Sequence, residues 1–160
     1  DLVQENADFK NDFELKFVGR LDDKILQKIE SSALKNNLTN LGYQTHDIAL
    51  KHMQDSTILL MTNFPQESSK GIIPGKIFEY LATGKTILSF GPKDADVEKI
   101  LNETKAGKHF GYDEKENLKK FILESYENWK SGTLNQNAEN IEQFSRKNLT
   151  QKLVDLMNKI

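Results

Sequence analysis

The chain has 160 residues, a net charge of −2 from 22 basic and 24 acidic side chains, and no cysteine. That length suits a single domain with a real core, and mixed charge without a basic excess speaks against nucleic acid or an anionic membrane surface as a partner. The lack of cysteine excludes a disulfide framework and a thiolate metal site, and no run approaches the ~20 apolar residues of a membrane span, which fits a cytoplasmic protein.

Residues 1–12 are polar and read as a linker or the frayed remnant of a helix; with no methionine at position 1, the chain reads as a piece of something longer. Phe13 to Gly19 alternates apolar and polar side chains and ends in Gly-Arg, the pattern of a strand running into a loop. Asp22 is placed to cap a helix whose core stripe is Ile25, Leu26, Ile29 and Ala33. Leu38 to Tyr43 reads as a second strand, and Thr45 as the cap of a helix that ends near Asp55. Thr57 to Met61 is the most continuous apolar run and predicts a strand buried on both faces of a parallel sheet.

Asn63 to Gly71 has no periodicity and many breakers, and with no apolar stripe to dock it predicts the least ordered internal segment. A helix then begins at Pro74, whose fixed φ and missing N–H suit the first helical position. Its spacing puts Ile77, Phe78, Leu81 and Ala82 on the core face, and Gly84 suits the left-handed residue that stops it. Thr86 to Phe90 is a fourth strand, followed by a Gly91-Pro92 turn, a helix capped by Asp94 and a fifth strand from Gly107 to Tyr112. Leu118 to Trp129 has helical spacing, with Trp129 and its aromatic neighbours as core. A polar join at 131–137 precedes a helical segment from Ala138 to the end, broken near Ser145 to Asn148.

Five strands alternating with helices predict an α/β, Rossmann-like three-layer domain over residues 1–160, with a parallel sheet. Ligands of such sheets bind beyond the carboxyl ends of the strands, so the loops at 19–22, 43–46, 62–75 and 90–94 form the predicted rim. Gly19, Tyr43 and His46 are candidates by their place in the first two of these loops. For Gly19 and Gly42 the simpler role is to end a strand, and for Arg20 and His46 a surface position; His52 and His109 read as surface or packing residues. Gly71, Ile72 and Gly75 flank a helix N-terminus whose N–H groups suit a phosphate, with Lys76 beside them. Glu79, one turn on, suits a diol. Spacing alone favours an exposed i,i+3 ion pair between Lys76 and Glu79, and only the place of the helix on the rim taken together with the family resemblance given next reverses that preference. A P-loop is excluded, since Gly71-Ile-Ile-Pro-Gly75-Lys76 lacks its spacing and its magnesium-binding hydroxyl. The histidines do not pair at i,i+4 and no acidic cluster completes a metal site.

The run Pro74-Gly-Lys-Ile-Phe-Glu-Tyr-Leu-Ala-Thr-Gly84-Lys85, with the apolar strand and Gly91-Pro92 after it, resembles the donor-sugar segment of retaining glycosyltransferases of family 4, or group 1. The resemblance extends from about Phe13 to the C-terminus and is most specific over residues 71–92. It implies the C-terminal half of a GT-B fold that binds a nucleotide sugar as donor substrate, without a resident cofactor, and a partner acceptor domain absent from this chain. Glu79 would hold the ribose hydroxyls, and Lys76 would act on the departing diphosphate. The fragment alone would be inactive. A nucleotide-sugar 2-epimerase shares the fold but needs clustered carboxylates and histidines, which the sequence does not offer. A flavodoxin-like binding module without chemistry is the third alternative.

Two departures from that family stand out. Its second glutamate, eight residues before Glu79, is Gly71 here, so recognition of the sugar must come from elsewhere. The family's first strand has no counterpart either. In the order 3-2-1-4-5-6 that strand is central. Its loss predicts that residues 13–18 pair directly with 57–61 in the order 2-1-3-4-5, or that a strand from another molecule fills the slot.

Overall fold

The computed structural model describes residues 1–134 and 138–159 of the chain, so part of the predicted join at 131–137 lies outside the described residues. The fold is α/β, with one parallel sheet of two strands and one of three, and helices on both sides. It divides into two compact units, Asp1–Asp55 and Ser56–Ile160.

In the first unit, α1 (Leu2–Glu5) and α2 (Ala7–Asp12) occupy the stretch expected to fray. The Asn6 side chain caps α2 by accepting from the Phe9 N–H at 2.9 Å. Val3 and Phe9 are buried, and the Phe9 ring stacks on Phe13 at 5.1 Å. Strand β1 (Leu15–Phe17) pairs with β2 (Leu38–Asn40), with Leu15 opposite Leu38. Between them, α3 (Asp23–Glu30) is capped by Asp22 as predicted, its carboxylate accepting from the Lys24 N–H. That helix ends at Glu30, so Ala33 falls outside it, and Ile25 is exposed instead of joining a core stripe. Helix α4 (His46–Asp55) follows Thr45, whose carbonyl accepts from the Ala49 N–H.

The second unit holds β3 (Ile58–Thr62), β4 (Thr86–Phe90) and β5 (Gly107–Phe110) in that spatial order. Burial on both faces, expected of Thr57–Met61, belongs to β4: Ile87, Leu88 and Ser89 are all buried because β4 is the central strand. In β3, Leu59 and Met61 are buried while Leu60 is 39% exposed, the alternation of an edge strand with one covered face. Helices α5 (Lys76–Thr83), α6 (Asp96–Thr104) and α7 (Lys115–Lys130) supply Ile77, Leu81, Val97, Ile100, Leu101 and Tyr126 to the buried set. Trp129 is 45% exposed and stacks on Tyr126, so it sits outside the core predicted for it. Helix α8 (Arg146–Met157) is capped by Ser145 and preceded by a 3₁₀ turn at Ile141–Phe144; the break expected near Ser145 to Asn148 narrows to Ser145, since Arg146 to Asn148 form the first turn of α8.

Direct pairing of residues 13–18 with 57–61 does not form. Among the described residues β1 pairs only with β2, and β3 only with β4, in two separate sheets.

Candidate functional site

The loop after β3 is held by polar tethers in place of the apolar contacts it lacks. The Asn63 side-chain amide donates to the carbonyls of Ser69 and Ile72, at 3.3 and 3.0 Å. Ser69 is buried, and its hydroxyl reaches the carbonyls of Phe64 and Gln66 at 2.6 and 2.8 Å. At the far end, the Asp96 N–H at the start of α6 donates to the Lys70 carbonyl at 2.9 Å. The segment expected to be least ordered is thus tethered, by the Asn63 and Ser69 side chains to carbonyls of the same loop and by a backbone bond from Asp96 to Lys70.

Helix α5 opens through a tight turn in which Ile77 and Phe78 donate to the carbonyls of Pro74 and Gly75. It closes at Gly84, left-handed at φ 69°, as predicted. Ile77, Tyr80 and Leu81 form its buried face; Phe78 and Ala82 do not. Phe78 points instead toward Phe144, with ring centroids 6.0 Å apart, because Tyr80 takes the core position and donates its hydroxyl to the Leu60 carbonyl. Burial and the neighbouring Glu79 carboxylate push the Tyr80 phenol up from its ordinary pKa.

Lys76 and Glu79 are both exposed, and no ion pair joins them. The Ile72 N–H is donated to the Ser69 carbonyl, so the open donors at this end of the helix are the N–H groups of Gly71, Ile73, Gly75 and Lys76. Gly75 has an ordinary helical backbone (φ −55°, ψ −29°), and a Cβ added there would meet nothing within 4 Å. The fold therefore has no need of glycine at this position, and an alanine would serve the helix better. Gly71 is similar, its nearest neighbour being an Asp96 carboxylate oxygen at 4.0 Å.

The remaining predicted residues lie in the first unit. Gly19 has φ 122° and donates its N–H to the Gly42 carbonyl at 2.7 Å, so its glycine is demanded by the turn. Tyr43 is 82% exposed, and His46, the first residue of α4, is exposed as well. His109 is a buried packing residue: the Ser89 hydroxyl meets its Nδ1 at 2.9 Å and its Nε2 meets the Pro92 carbonyl at 3.0 Å.

Sequence reasoning missed the loop after β5. Gly111, Tyr112 and Asp113 meet Pro65, Pro92 and Lys93 around a cleft of about 310 Å³. Its walls are the loops that leave the carboxyl ends of β3, β4 and β5. The Tyr112 hydroxyl donates to the Asn63 carbonyl and the ring stacks on Phe90, with centroids 5.9 Å apart. Partial burial raises its phenol above the ordinary pKa. The Gly111 N–H donates to the Glu114 carboxylate at 2.8 Å, which holds that carboxyl below its usual range. The strand predicted over Gly107 to Tyr112 ran through Gly111 and Tyr112, whereas β5 ends at Phe110 and leaves both in the loop.

Among the described residues, no helix is long and apolar enough to cross a membrane, and no three histidine or acidic side chains gather to hold a metal. No protein-family model matches the sequence, and no curated protein does either. The chain is similar in structure to Anabaena Alr3699/HepE, crystallised in complex with UDP, with a TM-score of 0.70 and 19% sequence identity. The match covers 99% of this chain and 44% of that one, so the chain spans less than half the length of that protein. At this identity, what the two share is the Rossmann-like α/β fold.

Proposed function

We propose that this chain is the donor-binding half of a retaining glycosyltransferase of the GT-B type, related to family 4, and that it binds a nucleoside-diphosphate sugar as substrate. The observation that carries the reading is the start of α5, where four open N–H groups, an unpaired lysine and an unpaired carboxylate lie within one short segment. Gly75 adds to it, as a residue the backbone does not require and whose missing Cβ leaves room for a close approach.

In this reading the N–H groups and Lys76 take the diphosphate, and Glu79 accepts from the two ribose hydroxyls. During transfer the bond from the anomeric carbon to the diphosphate oxygen breaks and the electron pair stays on the diphosphate. Lys76 and the helix N-terminus offset that growing charge, so catalysis is positioning and electrostatic stabilisation. The acceptor would be held by another domain. The UDP in the Anabaena structure makes a uridine nucleotide the first donor to test.

The test is calorimetric titration with UDP, GDP and ADP, alongside Glu79→Ala. One diphosphate should bind, and the variant should bind it about ten- to a hundredfold more weakly with an unchanged melting curve, as loss of a charged hydrogen-bonding group predicts. Equal affinities would return Glu79 to a solvated helix face. No binding of any diphosphate would leave a binding module of another kind.

A further inference from the structure

We infer that the cleft between the loops after β3, β4 and β5 is a pyranose-binding subsite, with the ring of Tyr112 as its platform. This deepens the donor-binding reading and rests on it only where the bound sugar is the donor's.

The platform is prepared. Tyr112 is 54% exposed, yet its ring cannot turn freely, since its hydroxyl is donated to the Asn63 carbonyl and the ring stacks on Phe90. A fixed, half-open aromatic face suits the C–H face of a sugar ring, whose weakly positive hydrogens are drawn to the negative π face. Pro65 and Pro92 add flat apolar wall, and Gly91 and Gly111 add none of their own. A Cβ on Gly111 would sit 2.6 Å from an Asp113 carboxylate oxygen and 3.2 Å from Lys93 Cε, so glycine here keeps the floor clear.

The polar groups fit hydroxyls better than an anion. Lys93 lies 3.8 Å from Asp113, and Glu67 lies 2.8 Å from Lys70, so each positive charge on this rim already has its counter-charge. Such paired groups still accept from and donate to the alternating hydroxyls of a neutral sugar. Size agrees: about 310 Å³ is at the small end for ligand pockets and takes one sugar ring. Position agrees as well, because the Asn63 that Tyr112 holds is the residue whose side chain fixes the Ile72 carbonyl beside the proposed diphosphate site. The sugar recognition that Gly71 cannot supply in place of a glutamate would come from this cleft.

The ring could belong to a sugar nucleotide or to a free saccharide end, and the experiment separates them. The intact chain is titrated with UDP, with UDP-glucose, UDP-galactose and UDP-N-acetylglucosamine, and with the matching methyl glycosides, the last followed by saturation-transfer NMR. One sugar nucleotide should bind at least tenfold more tightly than UDP. Tyr112→Ala should erase that gain while UDP affinity holds, and Tyr112→Phe, which keeps the stack on Phe90 but loses the tether to Asn63, should keep part of it. If the gain is absent but a methyl glycoside receives saturation through Tyr112, and loses it in Tyr112→Ala, the cleft serves a saccharide end. Should Tyr112→Ala not fold, the double variant Lys93→Ala, Asp113→Ala, made at exposed side chains, should cut the same gain or signal several-fold. Glycoside binding without any UDP binding would uphold the subsite while ending the nucleotide reading. UDP binding with no pyranose effect, or a pyranose effect that survives these variants, overturns the subsite. Failure of both ligand classes overturns both readings.

Discussion

The two units share a plan and differ in what holds them. From Ser56 onward, β4 lies between two partners, and Ile77, Ile87, Val97, Leu101 and Phe110 are almost wholly buried around it. In the first 55 residues the strands are three residues long, and only Val3 and Phe9 among the apolar side chains are buried. Polar staples take up the work there. The Asn37 amide donates to the carbonyls of Lys10 and Phe13, at 2.7 and 2.8 Å, and Gly19 and Gly42 join the strand ends. The same βα alternation can thus rest mainly on apolar burial or mainly on a few hydrogen bonds to backbone groups.

The largest effect is expected where burial is complete. Ile87→Ala should destabilise the second unit by about 2–5 kcal/mol, the range for large-to-small core substitutions. Trp129, the single tryptophan, lies in that unit, so its fluorescence reports the transition directly. Asn37→Ala should cost the first unit about 0.5–1.5 kcal/mol by removing two hydrogen bonds whose carbonyls are exposed or half-buried. Its signature should be faster amide exchange within residues 1–55 with the fluorescence midpoint in place. A fluorescence midpoint that moves equally in both variants would mean that the units unfold together, and the contrast between them would be one of appearance.

A smaller effect, with opposite signs in two measurements, is expected at Gly75. Its φ of −55° is open to any residue, so Gly75→Ala should raise stability by about 0.4–1 kcal/mol through the unfolded chain. In the proposed reading the added methyl group should also lower diphosphate affinity several-fold, because it occupies the approach to the open N–H groups. Higher stability with unchanged affinity would show that nothing approaches the backbone there. Gly19 makes the control: at φ 122° any side chain is strained, so Gly19→Ala should lose stability whatever it does to binding.

Much of this was legible because the signals were local. The capping carboxylate of Asp22, the stop at Gly84, the break at Ser145 and the span of β4 each depend on one to five neighbouring residues, and all four stand where the sequence put them. The failures share a different cause. Ile77, Tyr80 and Leu81 make an i, i+3, i+4 face that overlaps the predicted stripe, and the fold takes the face that includes Tyr80, whose hydroxyl meets the Leu60 carbonyl at 3.3 Å. Asp94 was expected to cap α6, but it adopts a left-handed backbone (φ 62°) and gives its N–H to Glu98, while Ala95 begins the helix without a side-chain cap. Two-sided burial went to β4 because strand order, which no single run encodes, made it central. For the candidate site, α5 and its two charges could be read directly. The tethers through Asn63, Ser69 and Tyr112 could not, since each joins residues that only the fold brings together.

The smallest effect concerns acid. Each unit has a carboxyl held below its ordinary pKa of 4.5: Glu14 by the Thr39 side chain and Lys16, and Glu114 by the Gly111 N–H, with Asn117 helping. A carboxyl lowered in the folded state binds fewer protons there than in the unfolded chain. Its contribution is therefore complete above the unfolded pKa and is lost as the pH falls through the folded one. Glu114→Gln keeps an oxygen for the Gly111 N–H and removes only the charge. Relative to wild type it should be less stable near neutrality, with the difference shrinking below about pH 4.5 until the two curves meet. Urea unfolding followed by Trp129 fluorescence between pH 3 and 7 measures this, and Glu14→Gln should leave that fluorescence profile unmoved while altering amide exchange in residues 1–55. A constant offset between wild type and Glu114→Gln across the whole range would mean that the carboxylate's charge plays no part in holding Gly111. The loop that carries Tyr112 would then owe its position to neutral hydrogen bonding and to the stack on Phe90 alone.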